Sequence, residues 1–260
     1  MEKGIDEKYI NEFKSYLLDK NSSEGTIATY IQNINSYLTW MGEEYVNNIN
    51  LTYITASDIH EYINYLTHTK NQKNNTVNIK MAALKSFFNF LYIKKYINMN
   101  PAQDLKKIKI ASKSSEFIIS DLDITKLKKE VILGGNPLHQ LIIIILSDTG
   151  IKISELIILK LSDIVIKENL SESYLVIKHP KSGKYKEITL NSTLIDVYNE
   201  WMLERKRKNI KSDFVVTTER SPKACRSAIN KLLSKYSRKA GLDTVLNPNI
   251  LRKYFLENTK

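Results

Sequence analysis

The chain has 260 residues and a hydrophobic fraction of 42%, which is enough for a buried core and excludes a globally disordered chain. Its formal net charge of +11 favours a polyanionic partner such as nucleic acid. Cys225 is the only cysteine, and the four histidines are scattered, so the sequence offers neither an intrachain disulfide nor a spaced set of metal ligands. We expect a protein that needs no metal and no other cofactor.

The N-terminal segment MEKGIDEKY is polar and charged, unlike the apolar segment of a secretory signal. The most apolar run, Leu141 to Leu146, is far too short to span a bilayer. We therefore expect a cytoplasmic protein that makes no membrane contact.

Apolar residues recur at helical spacing between residues 5 and about 97, which predicts four helices. The stripe of the second helix consists of Ile27, Tyr30, Ile31, Ile34, Tyr37 and Leu38. The stripe of the fourth consists of Leu84, Phe87, Phe88 and Leu91. The dipeptide Ser57-Asp58 is predicted to cap the third helix, whose apolar face carries Ile59, Ile63 and Leu66. These stripes predict a packed helical core.

The polar faces of the second and fourth helices combine short hydroxyl or amide side chains with lysines. Such groups suit contacts with phosphates and base edges. An ordinary solvated face has the same composition, so both interpretations stay open. The candidate DNA contacts are Thr26, Thr29, Thr76, Asn78, Lys80 and Lys85.

A joint is predicted after the helical block. Pro101 biases Asn100 away from helix, and a lysine-rich stretch containing serine continues to Ser115. The sequence therefore predicts a helical domain over residues 1–100, a linker over residues 101–116 and a second domain over residues 117–260.

The second domain is predicted to combine helices with a few short strands. In chain order, its elements are a capped helix from Ser120 to about Ile132, a buried helix over Leu138–Leu146, β-like runs at residues 164–166, 174–177 and 185–190, and helices over residues 194–208 and 223–240. The turn Lys181-Ser182-Gly183 makes a hairpin of the last two runs, and Gly241 is predicted to stop the last helix.

Two segments of this domain form recognisable boxes. The first reads DTGIKISEL from Asp148 to Leu156, and the second reads NPNILRKY from Asn247 to Tyr254. Together they resemble the signature boxes of the tyrosine recombinases, or phage-integrase family, and the Asn100-Pro101-Ala102 joint is similar to the one between that family's two domains. The resemblance implies a mainly α fold with a small antiparallel β-sheet, made of a helical SAM-like core-binding domain and a tyrosine-recombinase catalytic domain. It also implies a clamp around double-stranded DNA, with a homo-oligomer on DNA as a further possibility.

The resemblance assigns catalytic positions residue by residue. Lys152 stands where the family has its first arginine; it keeps the charge but loses the bidentate fork. Asn249 stands where the family has histidine and cannot transfer a proton near neutral pH. Arg252 matches the arginine of the second box. Lys181 matches the hairpin lysine that acts as general acid, with Lys184 as a DNA contact in the same turn.

The nucleophile is the open question. In the family it is a tyrosine some tens of residues beyond the position of Arg252, and only eight residues follow Arg252 here. The chain is therefore a piece of a longer integrase, a DNA-binding protein with impaired strand cleavage, or a relaxase-like nicking enzyme of plasmid transfer that uses Tyr254. Any cleavage would be metal-independent and would pass through a phosphotyrosyl bond. The expected function is sequence-specific DNA binding in recombination or in the processing of mobile-element or plasmid DNA.

Overall fold

The computed structural model describes residues 7–44, 50–109, 119–178, 185–217 and 221–259. These residues form ten α-helices and one three-stranded sheet. The helices are α1 (Glu7–Asp19), α2 (Glu24–Glu44), α3 (Ala56–Asn64), α4 (Asn74–Ile93), α5 (Asp121–Leu133), α6 (Pro137–Thr149), α7 (Ile153–Ile158), α8 (Ser192–Arg207), α9 (Arg226–Lys239) and α10 (Pro248–Asn258). The strands are β1 (Ile164–Val165), β2 (Tyr174–Lys178) and β3 (Tyr185–Thr189). This content confirms the predicted fold class of helices with a small antiparallel sheet.

The chain divides into two compact units, Met1–Lys113 and Ser114–Lys260. The core of the first is aromatic: the rings of Phe13 and Phe87 meet edge to face with centroids 5.2 Å apart, and Phe88 and Phe90 are fully buried beside them. The predicted stripes of the second and fourth helices supply much of this core.

The start of α3 differs from the prediction. Thr55, not Ser57, is the N-cap, because its hydroxyl accepts from the Asp58 amide while Asp58 Oδ2 accepts from the Thr55 amide at 2.7 Å. Asp58 thus serves as the reciprocal partner at the third helical position, a role that a cap assignment from residue type alone does not distinguish.

Residues 101–109 pack on the first unit, although their proline and lysine content placed them in the linker. Ala102 is fully buried, Leu105 is 5% exposed, and both belong to the helical core. The remaining residues of the predicted linker, 110–116, lie outside the described part of the chain.

The second unit is built around α6, a helix buried along nearly its whole length, with α5, α8 and α10 packed against it. A capping box at Ser120 starts α5 as predicted, and Gly241 follows the end of α9 at φ +63°. The sheet is antiparallel in the order β1-β2-β3, with Leu175 facing both Ile164 and Ile188 in register. In the described ranges, none of the helices combines the length and apolar content needed to cross a lipid bilayer.

Candidate functional site

The first box lies where α6 ends. Gly150 adopts φ +60°, which reverses the chain between α6 and α7. A Cβ atom at this position would lie 2.4 Å from Cδ1 of Phe255 on α10. Two features of the turn therefore require glycine at position 150: its left-handed backbone and the close approach of α10.

Lys152 occupies the N-cap position of α7. Its backbone amide donates to Glu155 Oε2 at 2.8 Å, and its ammonium lies 3.7 Å from Glu155 Oε1. The Glu155 side chain is 8% exposed, whereas that of Lys152 is 45% exposed. Glu155 braces the turn, and the Lys152 ammonium remains available at the surface as a point charge.

The second box starts α10. Asn247 Oδ1 accepts from the amides of Asn249 and Ile250 at 3.0 and 3.1 Å, and Pro248 occupies the first helical position, where its missing N–H is not needed. Asn249 is exposed. The predicted box is thus a capped helix start that presents Asn249 to solvent.

Arg252 joins the two boxes. Its Nη1 donates to the carbonyl oxygen of Gly150, 102 residues earlier in the chain, and the side chain is half-buried. The structure therefore brings Arg252 to the turn that carries Lys152. Two of the five predicted catalytic residues thus lie at one turn, and their catalytic roles stay predictions.

Tyr254 lies two residues beyond Arg252 on α10 and is half-buried. Its hydroxyl donates to Asp121 Oδ1 at 2.5 Å, and its ring packs against the hydrophobic core of the second unit. The pKa of Tyr254 is raised to about 12, mainly by the hydrogen bond to Asp121 and to a lesser extent by burial. The proton of Tyr254 is therefore harder to remove than that of a free tyrosine. No sequence signal pointed to Asp121, which lies 133 residues away.

The hairpin side of the site is described only in part. Lys181 and Lys184 fall within residues 179–184, outside the described ranges. At the end of β2, Lys178 Nζ donates to the buried Asp163 at 2.6 Å, and this bond raises the pKa of Lys178. The end of β2 is thereby fixed to the segment before β1.

Family models match both units of the chain. The model of the phage integrase family matches residues 135–258, and that of the phage integrase N-terminal SAM-like domain matches residues 10–95. The chain belongs to the phage integrase family, the tyrosine recombinases.

Curated relatives of this tyrosine recombinase chain come from bacteria and archaea. The TnP I resolvase of Bacillus thuringiensis is 28% identical over 252 residues, which are 95% of this chain and 84% of the relative. The tyrosine recombinase XerA of Pyrococcus horikoshii is 26% identical over 251 residues, which are 96% of this chain and 79% of the relative.

Solved structures share the recombinase fold at lower identity. XerH site-specific recombinase bound to difH substrate matches with a TM-score of 0.71 and 17% identity, covering 98% of this chain and 79% of that one. A lambda integrase dimer bound to a COC' core site matches with a TM-score of 0.69 and 15% identity, covering 96% and 88%. At these identities the likeness establishes the fold.

Two of the predicted DNA contacts in the SAM-like unit are used inside the protein. Asn78 is 8% exposed, and its side-chain amide both donates to the carbonyl oxygen and accepts from the amide of Ile108, each at 2.9 Å. Lys85 Nζ donates to the Leu105 carbonyl at 2.9 Å. For Asn78 the predicted base contact is wrong, because both ends of its amide bind the backbone of residues 101–109 to α4.

The other four candidates stay on the surface of this unit. Thr26 pairs its hydroxyl with Ser23 at 2.8 Å, and Thr29 donates to the Gly25 carbonyl at 2.7 Å. Thr76 is exposed at the start of α4. Lys80 is half-buried over the Tyr62 ring, and burial lowers the pKa of its ammonium. These side chains remain candidate DNA contacts.

Lys80 lines a cavity of about 1130 Å³ that runs beside α2. Its aromatic wall contains Trp40, Tyr62 and Tyr65, with ring centroids of neighbouring pairs 5.1 to 6.4 Å apart. Trp40 and Tyr62 are buried. None of the three rings belongs to the predicted apolar stripes, and the concave wall that they form was not predicted.

Proposed function

We propose that the chain binds duplex DNA at a specific sequence and takes part in DNA recombination as a tyrosine-recombinase-type protein. Membership of the family supports this, as does the net charge of +11. Among proteins of the same fold, XerH is bound to difH substrate, and lambda integrase is bound to DNA as a dimer and as a tetramer. We extend the proposal to a homo-oligomer assembled on DNA.

The docking of α10 on the Gly150 turn by Arg252 is the observation that carries the proposal. It gives one surface two cations, Lys152 and Arg252, that can bind the non-bridging oxygens of a phosphodiester. One guanidinium N–H of Arg252 donates to Gly150, and its other N–H groups can donate to a phosphate. Lys152 contributes charge without the planar fork, so the phosphate is bound but less rigidly oriented.

Cleavage of the strand by the standard route is impaired in this proposal. The transition state requires oriented cations and a group that exchanges a proton with an oxygen of the reacting phosphate. Lys152 orients the phosphate less rigidly than an arginine would, and Asn249 cannot exchange the proton. The raised pKa of Tyr254 and its bond to Asp121 support a structural role for this tyrosine and oppose the relaxase-like alternative.

Binding is tested by selection from a pool of random 40-base-pair duplexes, followed by fluorescence anisotropy on the enriched sequence. We expect one sequence to be enriched and its affinity to fall steeply with salt, because several cations neutralise phosphates. A scrambled duplex of the same composition is the control. Equal affinity for both duplexes, or affinity insensitive to salt, would contradict sequence-specific binding.

Cleavage is tested with the enriched duplex carrying a nick near its centre, which traps a covalent protein–DNA adduct on a denaturing gel. We expect no adduct from the 260-residue protein, and we expect Tyr254→Phe to bind DNA with unchanged affinity. An adduct that disappears in Tyr254→Phe would establish Tyr254 as a nucleophile and reverse the structural assignment. An adduct that persists in that variant would show that another residue attacks the phosphate.

A further inference from the structure

The carboxylate of Asp148, at the end of α6, receives hydrogen bonds from three directions. Lys128 Nζ of α5 lies 2.6 Å from Oδ1, Ser147 Oγ lies 2.6 Å from the same oxygen, and Asn191 Nδ2 lies 3.1 Å from Oδ2. The Asp148 side chain is 12% exposed and that of Lys128 is 30% exposed. Partial removal from water strengthens these charge-assisted bonds relative to a surface ion pair.

Two of these partners belong to other helices, whereas Ser147 lies on α6 beside Asp148. Asn191 is the N-cap of α8, and its Oδ1 accepts from the Leu194 amide at 2.8 Å while its Nδ2 reaches Asp148. Lys128 lies in the middle of α5. The carboxylate therefore ties the last turn of α6 to two neighbouring helices.

Only Thr149 separates this junction from the Gly150 carbonyl that accepts from Arg252. The Thr149 hydroxyl donates to the Ile145 carbonyl at 2.6 Å and accepts from the Ile151 amide at 3.3 Å. The short segment from Asp148 to Gly150 is thus fixed by hydrogen bonds on both sides of Thr149. A displacement of Asp148 is transmitted to the acceptor that aims the guanidinium of Arg252.

We propose that Lys128, Asp148 and Asn191 form a positioning unit that fixes the Gly150 carbonyl and through it the orientation of Arg252. The phosphate-binding purpose of that orientation rests on the proposed function. Asp148 touches no phosphate in this proposal and acts only through the turn. An amide in its place has a single acceptor oxygen for three converging donors, so it leaves at least one donor unpaired or opposed to its own NH₂ group.

The first experiment measures Arg252 directly by nuclear magnetic resonance of ¹⁵N-arginine-labelled protein. The chain has six arginines, which gives a simple spectrum. We expect Asp148→Asn and Lys128→Gln to raise the water-exchange rate of the Arg252 guanidinium protons about tenfold, since their bond to Gly150 opens more often. The guanidinium of Arg205, which donates to the Phe214 carbonyl at 2.9 Å, is the internal reference and should not change.

Two variants serve as controls. Glu204→Gln removes a carboxylate that is 15% exposed and bound by Arg207 and Lys208, so it matches Asp148→Asn in charge and burial at the far end of α8. Lys128→Arg keeps the cation. We expect wild-type exchange at Arg252 in both. Unchanged Arg252 exchange in Asp148→Asn, or an equal increase at Arg205 and Arg252, would overturn the positioning role.

The second experiment uses anisotropy on the enriched duplex. Asp148→Asn should weaken binding in the wild-type background and have no further effect in Arg252→Gln, because it acts through Arg252. Additive losses would overturn the inference even if DNA binding is established. Absence of DNA binding by the wild type would instead refute the proposed function, and the exchange measurement would still decide whether the unit positions Arg252.

Discussion

Gly150→Ala is expected to lower the free energy of unfolding of the second unit by about 2 to 5 kcal/mol. A left-handed backbone costs an L-residue about 1 to 2 kcal/mol, and forcing a methyl group into a packed contact adds about 1 to 3 kcal/mol. The contact is with Phe255 Cδ1, at 2.4 Å from the added Cβ. Urea unfolding followed by circular dichroism measures the change.

Gly135 supplies the matched control. It has φ +62°, close to the +60° of Gly150, but no atom lies within 4 Å of its added Cβ. Gly135→Ala should therefore show only the backbone contribution of about 1 to 2 kcal/mol. The double variant Gly150→Ala/Phe255→Ala should lose the steric contribution, which appears as a coupling energy between the two sites. Equal losses at both glycines would contradict the packing of α10 on the box turn.

Arg252→Gln is expected to weaken binding to the enriched duplex by about 10- to 100-fold, the size of a charge-assisted hydrogen bond of about 1.5 to 3 kcal/mol. The variant loses a phosphate cation and also the contact that holds α10 to Gly150. Binding curves at several salt concentrations separate these effects, because only the lost cation reduces the salt slope.

Lys253→Gln is the control on the same helix. Lys253 is exposed, and its ammonium lies 3.6 Å from Glu257, so the substitution removes the same charge without disturbing the Gly150 turn. We expect a change of less than about threefold, as for an exposed ion pair. A loss as large as that of Arg252→Gln would mean that net charge, rather than the docked guanidinium, determines affinity.

The sequence predicted those features that depend on neighbours along the chain. Helical spacing placed Phe87 and Phe88 in the core. The grouping of Lys152 with Arg252, 100 residues apart, came from the family resemblance and not from a local pattern. Prediction from the sequence failed where the partner of a residue lies far away along the chain. Asn78 resembled a base-reading side chain on an amphipathic helix, but Ile108, 30 residues later, supplies both of its hydrogen bonds.

The same limit applies to Tyr254 and to the end of the helical block. The second box pointed to Tyr254 but gave no reason to choose Asp121 as its partner. Proline and lysine made residues 101–109 resemble a solvated connection, because composition does not reveal that Leu105 fits a space left open by the four helices. Such matches depend on tertiary shape, which no local pattern encodes.

The attachment of residues 101–109 to α4 also has a consequence for the folding of the first unit during synthesis. A nascent chain that has emerged only to residue 100 leaves the place of Leu105 exposed to water and both ends of the buried Asn78 amide without their partner. We therefore expect Ala102 and Leu105 to complete this core only after residues up to Lys109 have emerged from the ribosome. An expression fragment of the first unit should for the same reason extend beyond that residue, because one that stops at Asn100 would expose an apolar cleft that promotes aggregation.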